Sequence, residues 1–249
     1  MSFNFSKEGF PLAIVKGGKE NGSKLYLNDK ENEKIKTFTK INLKDGMFQV
    51  IPNTKRERDV ILIVGASGSG KSTFTRNYVI EYHKTFKDRP IFLFSHLDED
   101  KVLDDLKLIK RIKIGDNLLE DPLTSKDFKD CLVLFDDVEI ITNKLLRKVV
   151  YQLMEEIAKT GRHFNTSLIM ISHTGVGNEM RTILNETHMF VYFPFSMNLK
   201  YTLEKYLNID QKQIKQIKAT KSRWAVIYKN YPQAVLTEKH AFVLSADDE

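Results

Sequence analysis

The feature that most constrains this 249-residue chain is a glycine-rich loop between an apolar run and a predicted helix. Residues 60–64 contain only valine, isoleucine and leucine, which is typical of a parallel strand buried on both faces. The loop at residues 65–72 reads GASGSGKS and matches the pattern G-x-x-x-x-G-K-[ST] without a mismatch. The preceding strand and a following helix, predicted from about residue 71 to 86, favour a phosphate-binding loop over a flexible Gly/Ser linker. The chain is therefore predicted to build an α/β fold around a nucleoside triphosphate.

The chemistry of phosphate binding explains the composition of this loop. Its glycines let successive backbone N–H groups approach the phosphates closely. Lys71 can reach the β- and γ-phosphates, and the hydroxyl of Ser72 can ligate Mg²⁺ at the positive N-terminal end of the helix. The predicted nucleotide-binding residues are Gly65, Ala66, Ser67, Gly68, Ser69, Gly70, Lys71, Ser72 and Thr73. The predicted cofactors are ATP and Mg²⁺.

A second apolar run ends in acidic residues and predicts the other half of the site. Residues 131–135 are followed by Asp136 and Asp137, which is the arrangement of a Walker B strand. An ionised carboxylate beside a hydrophobic strand is costly unless a cation or a donor is present, so Asp136 is the predicted magnesium ligand. Asp137 is predicted to polarise the attacking water, and Glu139 is the competing candidate for that role. The alternative is that the two aspartates cap the next helix.

A third apolar run ends in Ser172 and His173. Ligands of nucleotide-binding α/β sheets sit beyond the carboxyl ends of the strands, so these two side chains are expected near the γ-phosphate or the attacking water. The alternative for His173 is a purely structural role. Hydrolysis also benefits from a cation on the transferred phosphoryl group, often an arginine of a neighbouring subunit. Arg162 is the predicted arginine, Arg147 and Arg181 are alternatives, and a surface arginine at a helix end is the simpler interpretation of Arg162.

The rest of the chain predicts strands that alternate with helices. Further buried strands are predicted at residues 91–94, 132–135, 168–171 and 189–193, and the clearest helix at residues 143–160. This alternation favours a mostly parallel sheet with helices on both faces. The predicted organisation is a β-rich lead-in at 1–58, a P-loop ATPase core at 59–195, and a lysine-rich helical segment with a terminal hairpin at 196–249. The hairpin is predicted from strands at 224–228 and 234–236 around a turn at 230–232.

Composition narrows the classes of protein further. The formal net charge of +6 is compatible with a nucleic-acid partner. The lysines of residues 199–223 can contact phosphates, although a solvated helix face is the alternative. Cys131 is the single cysteine, so an internal disulfide is excluded and a reducing compartment is expected. The chain shows neither a signal-peptide pattern nor an apolar stretch of roughly 20 residues, so an intracellular protein without a membrane span is expected.

Taken together, these motifs resemble those of the FtsK–HerA superfamily of DNA-pumping ATPases, and within it the packaging ATPases of large eukaryotic DNA viruses and virophages. The resemblance is carried by residues 65–72, by Asp136 with Asp137, and by residues 161–173, and it covers about residues 58–195. It implies a RecA-like sheet with an extra strand between the two Walker strands. It also implies a pentameric or hexameric ring around double-stranded DNA, with ATP sites between subunits. Asp137 stands where many members carry Glu, and His173 where many carry Gln.

The resemblance implies an ATP-driven double-stranded DNA translocase that packages a viral genome into a preformed capsid. Its partners would be DNA, further copies of itself and a capsid portal or vertex protein. It would work at the viral assembly site in the host cytoplasm, with virion association as an option. The alternatives are a non-packaging motor for partitioning or secretion and a small-molecule phosphotransferase, for which no arginine-rich lid is apparent.

Overall fold

The computed structural model describes residues 1–28, 34–56, 58–173, 180–196, 199–229 and 233–244. Within them the helices are α1 (Lys71–Thr85), α2 (Asn117–Glu120), α3 (Lys144–Thr160), α4 (Arg181–Glu186), α5 (Lys200–Leu207) and α6 (Gln211–Ala219). The first strands are β1 (Ser2–Asn4), β2 (Phe10–Lys16), β3 (Lys24–Asn28), β4 (Lys40–Asn42) and β5 (Met47–Val50). The remaining strands are β6 (Val60–Val64), β7 (Ile91–Ser95), β8 (Ile109–Lys113), β9 (Leu132–Asp136), β10 (Ser167–Ser172), β11 (Met189–Tyr192), β12 (Ala225–Tyr228), β13 (Ala234–Thr237) and β14 (His240–Val243).

A ten-stranded sheet organises the described part of the chain, in the order β4-β14-β13-β12-β11-β6-β10-β9-β7-β8. The strands from β11 to β8 pair in parallel, whereas β12, β13, β14 and β4 extend the sheet in antiparallel fashion. Every residue of β6, β9 and β10 is buried, as expected for strands covered on both faces. The predicted α/β class with a mostly parallel sheet is confirmed, and β10 is the extra strand between the two Walker strands.

The predicted strands at 91–94, 132–135, 168–171 and 189–193 are confirmed, as is the helix predicted at 143–160, which is α3. The side chain of Asn143 caps α3 by accepting hydrogen bonds from the backbone N–H groups of Leu145 and Leu146. Among the parallel strands of the large sheet, one was not predicted. β8 lies at the edge of the sheet and reads Ile-Lys-Arg-Ile-Lys, so it lacks the continuous apolar run of the central strands.

The lead-in forms a second, four-stranded antiparallel sheet in the order β1-β3-β2-β5. Leu12 and Val15 of β2 belong to the same buried cluster as Ile63 of β6 and Tyr78 of α1. The strand β4 does not belong to this sheet, although it lies between β3 and β5 in the chain; it pairs with β14 at the edge of the large sheet. The two sheets therefore share one hydrophobic core, while the predicted domain boundaries stay predictions.

The last part of the chain continues the large sheet. β12 and β13 form the predicted hairpin, and β14 adds the strand that follows it. The predicted turn at 230–232 lies outside the described residues. Among the residues that the structure describes, no helix combines the length and the apolar character needed to cross a membrane.

Two buried polar contacts fix β6 and thereby the loop that follows it. Asp59, immediately before β6, accepts hydrogen bonds from the hydroxyl of Tyr78 at 2.9 Å and from the backbone N–H of Asn53 at 2.8 Å. The guanidinium of Arg58 donates to the carbonyls of Ile157 and Ala158 in the last turn of α3. Because a buried cation is costly without such acceptors, these bonds tie the entry of β6 to the end of α3.

Candidate nucleotide-binding site

The phosphate loop after β6 and the polar ends of β9 and β10 meet at one edge of the sheet. In the order β6-β10-β9, Ser172 of β10 pairs with Val64 of β6, and Met170 of β10 pairs with Phe135 of β9. The phosphate loop follows Val64, and Asp136 is the last residue of β9. Since the strands are parallel, their carboxyl ends place the loop, the acidic residues and His173 beside one another.

The loop has the backbone geometry of a phosphate cradle. Gly70 precedes α1 at a φ of 106°, a conformation that L side chains rarely adopt. A Cβ at Gly65 would lie 2.7 Å from the hydroxyl oxygen of Ser69 and 2.8 Å from the ring of Phe193, so a side chain here would force its neighbours to move. The loop and the N-terminus of α1 therefore leave backbone N–H groups available to an anion.

Lys71 is 5% exposed and lies inside this cradle. Its Nζ donates to the carbonyl oxygens of Gly65 and Ala66, at 2.8 and 3.0 Å, and lies 3.2 Å from Nδ1 of His173. Burial lowers the pKa of the Lys71 ammonium, and the nearby carboxylates of Asp136, Asp137 and Glu139 oppose that shift. The loop's own carbonyls and a histidine thus hold the ammonium at the position where phosphates bind in such loops.

Asp136 is 4% exposed and accepts a hydrogen bond of 3.0 Å from the backbone N–H of Asp137. Burial raises the pKa of the Asp136 carboxyl to about 7, and the negative charges of Asp137 and Asp100 raise it further. Ser72, the first hydroxyl of α1, donates to Asp100 at 3.2 Å. The carboxyl groups of the site therefore outnumber the single ammonium of Lys71; they belong to Asp100, Asp136, Asp137 and Glu139.

This donor set fits a divalent cation. One ligand atom each from Asp136, Asp137 and His173 lie within 4.8 Å of one another. Carboxylate and hydroxyl oxygens are the ligands that Mg²⁺ prefers, so the roles of Asp136 and Ser72 as its ligands stay predictions that this chemistry fits. A cation here would also stabilise the ionised form of the buried Asp136 carboxyl, which burial alone disfavours.

His173 joins the two halves of the site. Its Nε2 lies 3.0 Å from Oδ1 of Asp137, while its Nδ1 faces the ammonium of Lys71. An ammonium can only donate and a carboxylate can only accept, so the network assigns the proton of the neutral ring to Nε2. Asp137 has a φ of 55°, a left-handed conformation that turns the chain directly after β9. Lys71, His173 and Asp137 thus form one continuous hydrogen-bonded chain.

Glu139 has a different set of contacts from Asp137. Its carboxylate accepts from the hydroxyl of Ser172 and from the backbone N–H of His173, at 3.2 and 3.0 Å for its two oxygens. It therefore fastens the loop after β9 to the end of β10. The sequence named Glu139 and Ser172 but gave no indication that they contact each other. Asp100, which accepts from Ser72, was not identified from the sequence, because it lies in a polar loop without a motif.

Of the three candidate arginines, Arg162 lies away from this edge within its own chain. Arg162 is exposed in the 3₁₀ turn Gly161–Phe164, which precedes the amino end of β10, whereas His173 follows its carboxyl end. Arg147 lies 5.6 Å from the ring centre of Tyr151, and Arg181 lies 5.9 Å from that of Tyr206. Only a neighbouring subunit can bring Arg162 to a phosphate site, so its role stays a prediction.

Comparison with known proteins identifies one virophage relative by sequence and several solved structures with a similar fold. The chain is 40% identical over 246 residues to "Uncharacterized protein V3" of Sputnik virophage, a match that covers 97% of this chain and 98% of that protein. No family model matches. The cytoplasmic domain of the type VII secretion ATPase EccC of Thermomonospora curvata superimposes with a TM-score of 0.52 at 13% identity, over 96% of this chain and 29% of that one. The genome-packaging NTPase B204 of Sulfolobus turreted icosahedral virus 2 gives a TM-score of 0.49 at 18% identity, over 76% of this chain and 100% of that one.

The parallel strands with β10 between β6 and β9, the complete phosphate loop and the acidic end of β9 give this chain the fold and the phosphate loop of P-loop nucleotide-binding proteins. The chain belongs to the family of protein V3 of Sputnik virophage, to which it can be aligned over almost its whole length.

Proposed function

We propose that this protein hydrolyses Mg·ATP and uses the energy to move double-stranded DNA into a preformed viral capsid. The observation that carries the proposal is the chain from Lys71 through His173 to Asp137, which links the phosphate cradle to the acidic strand end. Support for a viral setting comes from the virophage relative, and support for the packaging role comes from the motif resemblance to packaging ATPases. The work would take place at the viral assembly site in the host cytoplasm or in association with the virion.

Each residue of the site has a role in hydrolysis under this proposal. Lys71 exchanges its contacts with the loop carbonyls for the β- and γ-phosphates. Ser72 and Asp136 would hold Mg²⁺, which when bound would supply positive charge to neutralise the phosphate oxygens. Asp137 orients the attacking water, because its carboxylate lies beside His173 at the end of the network, whereas that of Glu139 is bound to β10. His173 senses the γ-phosphate indirectly, because its hydrogen-bond partner Lys71 is the residue that contacts that phosphate.

The proposed DNA contacts lie in the segment of residues 199–223. Its basic side chains are exposed and comprise Lys200, Lys205, Lys212, Lys215, Lys218, Lys221 and Arg223. Lys200 lies 3.9 Å from Glu204, but α6 presents its lysines on a face opposite the buried Ile214 and Ile217. Such a face binds phosphates through charge, so the contact would be independent of DNA sequence and sensitive to salt.

The proposed assembly is a pentameric or hexameric ring with its ATP sites between subunits. Arg162 at the amino edge of one sheet would complete the site at the carboxyl edge of the next, with Arg147 and Arg181 as alternatives. An arginine aimed at the γ-phosphate stabilises the charge of the transition state. The ring would dock on a capsid portal or vertex protein.

An ATPase assay with and without duplex DNA tests this function. We expect DNA to raise turnover in the wild-type protein, the stimulation to weaken with salt, and Lys71→Ala to remove the activity. Turnover raised by a nucleoside monophosphate acceptor, with no response to DNA, would instead identify a phosphotransferase. Stimulation by DNA without uptake of DNA into capsids in a packaging assay would identify a non-packaging motor.

A further inference from the structure

The turn that follows β11 is attached to the phosphate loop. The carbonyl of Phe193 accepts from the backbone N–H of Ser196 at 3.0 Å and from its hydroxyl at 3.1 Å. The same hydroxyl accepts from the backbone N–H of Ala66 in the loop at 3.3 Å. The ring of Phe193 is buried against Gly65 and Gly70. The turn therefore has a fixed position beside the phosphate cradle.

Phe195 is the side chain that this turn exposes. It is 66% exposed, the largest value among the exposed large apolar side chains of the described residues, while Phe193 before it is 3% exposed. Leaving an aromatic ring in water forgoes the free energy of burying its apolar surface. A phenylalanine held in this way next to a ligand site offers a flat face for a planar group.

The sheet order determines which part of a nucleotide would meet this ring. Asp136 and His173 lie on the side of β6 occupied by β10 and β9, so the γ-phosphate and its Mg²⁺ belong on that side. The strand β11 is the neighbour of β6 on the opposite side. A triphosphate that runs across the loop toward Asp136 therefore has its nucleoside end on the side of β11 and its turn.

We propose that residues 193–196 form the nucleobase subsite and that Phe195 stacks on the base. This inference rests on the proposed binding of a nucleoside triphosphate at the phosphate loop. Stacking on an aromatic ring contributes affinity without reading the edge of the base, since every base has a π-face. The subsite would therefore accept different bases through their flat surface, with the phosphates as the main anchor.

The test compares ATP with inorganic tripolyphosphate, which carries the phosphates without a base. In equilibrium binding by calorimetry with Mg²⁺, we expect Phe195→Ala to weaken ATP binding about 10- to 100-fold. Tripolyphosphate binding should stay unchanged, Phe195→Tyr should restore ATP binding, and Met47→Ala, which truncates a side chain 49% exposed in the N-terminal sheet, should change neither ligand. Equal ATP affinity for Phe195→Ala and wild type would overturn the subsite, and so would an equal loss of both ligands.

A spectroscopic arm separates failure of this inference from failure of the proposed function. Trp224 is the single tryptophan, so the Phe195→Trp, Trp224→Phe variant reports from position 195 alone. We expect ATP to quench this fluorescence and tripolyphosphate to leave it unchanged. Binding of ATP by calorimetry without any fluorescence change would overturn the stacking and leave the nucleotide site intact. Absence of binding for both ligands in the wild-type protein would overturn the proposed function itself.

Discussion

The Nζ of Lys71 lies 3.2 Å from Nδ1 of His173, so a hydrogen bond links the phosphate loop to the residue that follows β10. A phosphate that enters the cradle must compete with this histidine and with two loop carbonyls for the same ammonium. Nucleotide binding therefore changes the partner of His173, whose other nitrogen faces Asp137. The phosphate end of the substrate is thereby connected to the residue proposed to orient water.

The first prediction concerns His173. We expect His173→Ala to lower kcat about 100-fold, because the link between Lys71 and Asp137 is lost, and to change KM by less than about threefold. His173→Gln keeps a donor for Asp137 and an acceptor for Lys71, so it should retain more activity than His173→Ala. Steady-state ATPase kinetics provide the measurement. Equal and wild-type-like kcat values for both variants would show that the contact has no part in turnover.

The second prediction separates Glu139 from Asp137. Glu139 holds Ser172 and the backbone of His173, so Glu139→Gln, which keeps an acceptor, should retain most of the activity that Glu139→Ala loses. Asp137→Asn should lose activity, because its carboxylate is proposed to polarise the attacking water. The comparison is made on kcat for the three variants at saturating Mg·ATP. If Glu139→Gln were as inactive as Glu139→Ala while Asp137→Asn remained active, Glu139 would be the general base.

The third prediction concerns pH and Asp136. Burial raises the pKa of this carboxyl from 3.8 to about 7, so the folded protein keeps a proton that the unfolded chain has released between these values. Without metal, the contribution of Asp136 therefore makes stability fall as pH rises from about 4 to about 7, by on the order of 2–4 kcal/mol. Asp136→Asn lacks this titration, so the difference in free energy of unfolding between wild type and variant should move in the variant's favour over that range.

Denaturant unfolding of both proteins at pH 5 and pH 8, in the presence of EDTA, measures this difference. Adding Mg²⁺ at pH 8 should stabilise the wild-type protein more than Asp136→Asn, since binding to the folded state alone raises stability. A difference between the two proteins that is the same at both pH values would contradict the assignment of the buried proton to Asp136.

The fourth prediction concerns the arginine proposed to act between subunits. Arg162 lies at the sheet edge opposite the site of its own chain. Arg162→Ala and Lys71→Ala should each be inactive alone, whereas mixed oligomers should recover part of the activity, because some interfaces then combine an intact Lys71 with an intact Arg162. ATPase activity across a series of mixing ratios is the readout. The same series with Arg147→Ala or Arg181→Ala in place of Arg162→Ala tests the two alternatives, and recovery with one of those alone would exclude Arg162.

The fifth prediction concerns the exposed lysines of α6. The double variant Lys215→Gln, Lys218→Gln should weaken binding to duplex DNA. The slope of the logarithm of the binding constant against the logarithm of the salt concentration should become shallower by about one to two units. Basal ATPase activity without DNA should remain that of the wild type. Lys19→Gln with Lys24→Gln removes the same charge from exposed positions of the N-terminal part and is the matched control. Equal effects of the two pairs would indicate a response to net charge alone.

Local signals predicted most of the core and the composition of the site. The strands β6, β7, β9, β10 and β11 were found because each is a short apolar run, whereas β8 was missed because an edge strand keeps charged side chains on its open side. The phosphate loop was found because phosphate binding requires a particular order of glycines, lysine and hydroxyl. Contacts between segments far apart in the chain, such as that between Ser72 and Asp100, have no such local pattern.

The sequence by itself determined that this protein has a phosphate loop after a buried strand and a second strand that ends in two aspartates, because both depend on neighbouring residues. Only the tertiary structure decided how these pieces are connected. The insertion of β10 between β6 and β9 brings His173 between Lys71 and Asp137, and it places the backbone N–H of His173, directly after β10, within reach of Glu139. That order is set by the pairing of distant strands and by the burial of their common faces, which no single segment encodes.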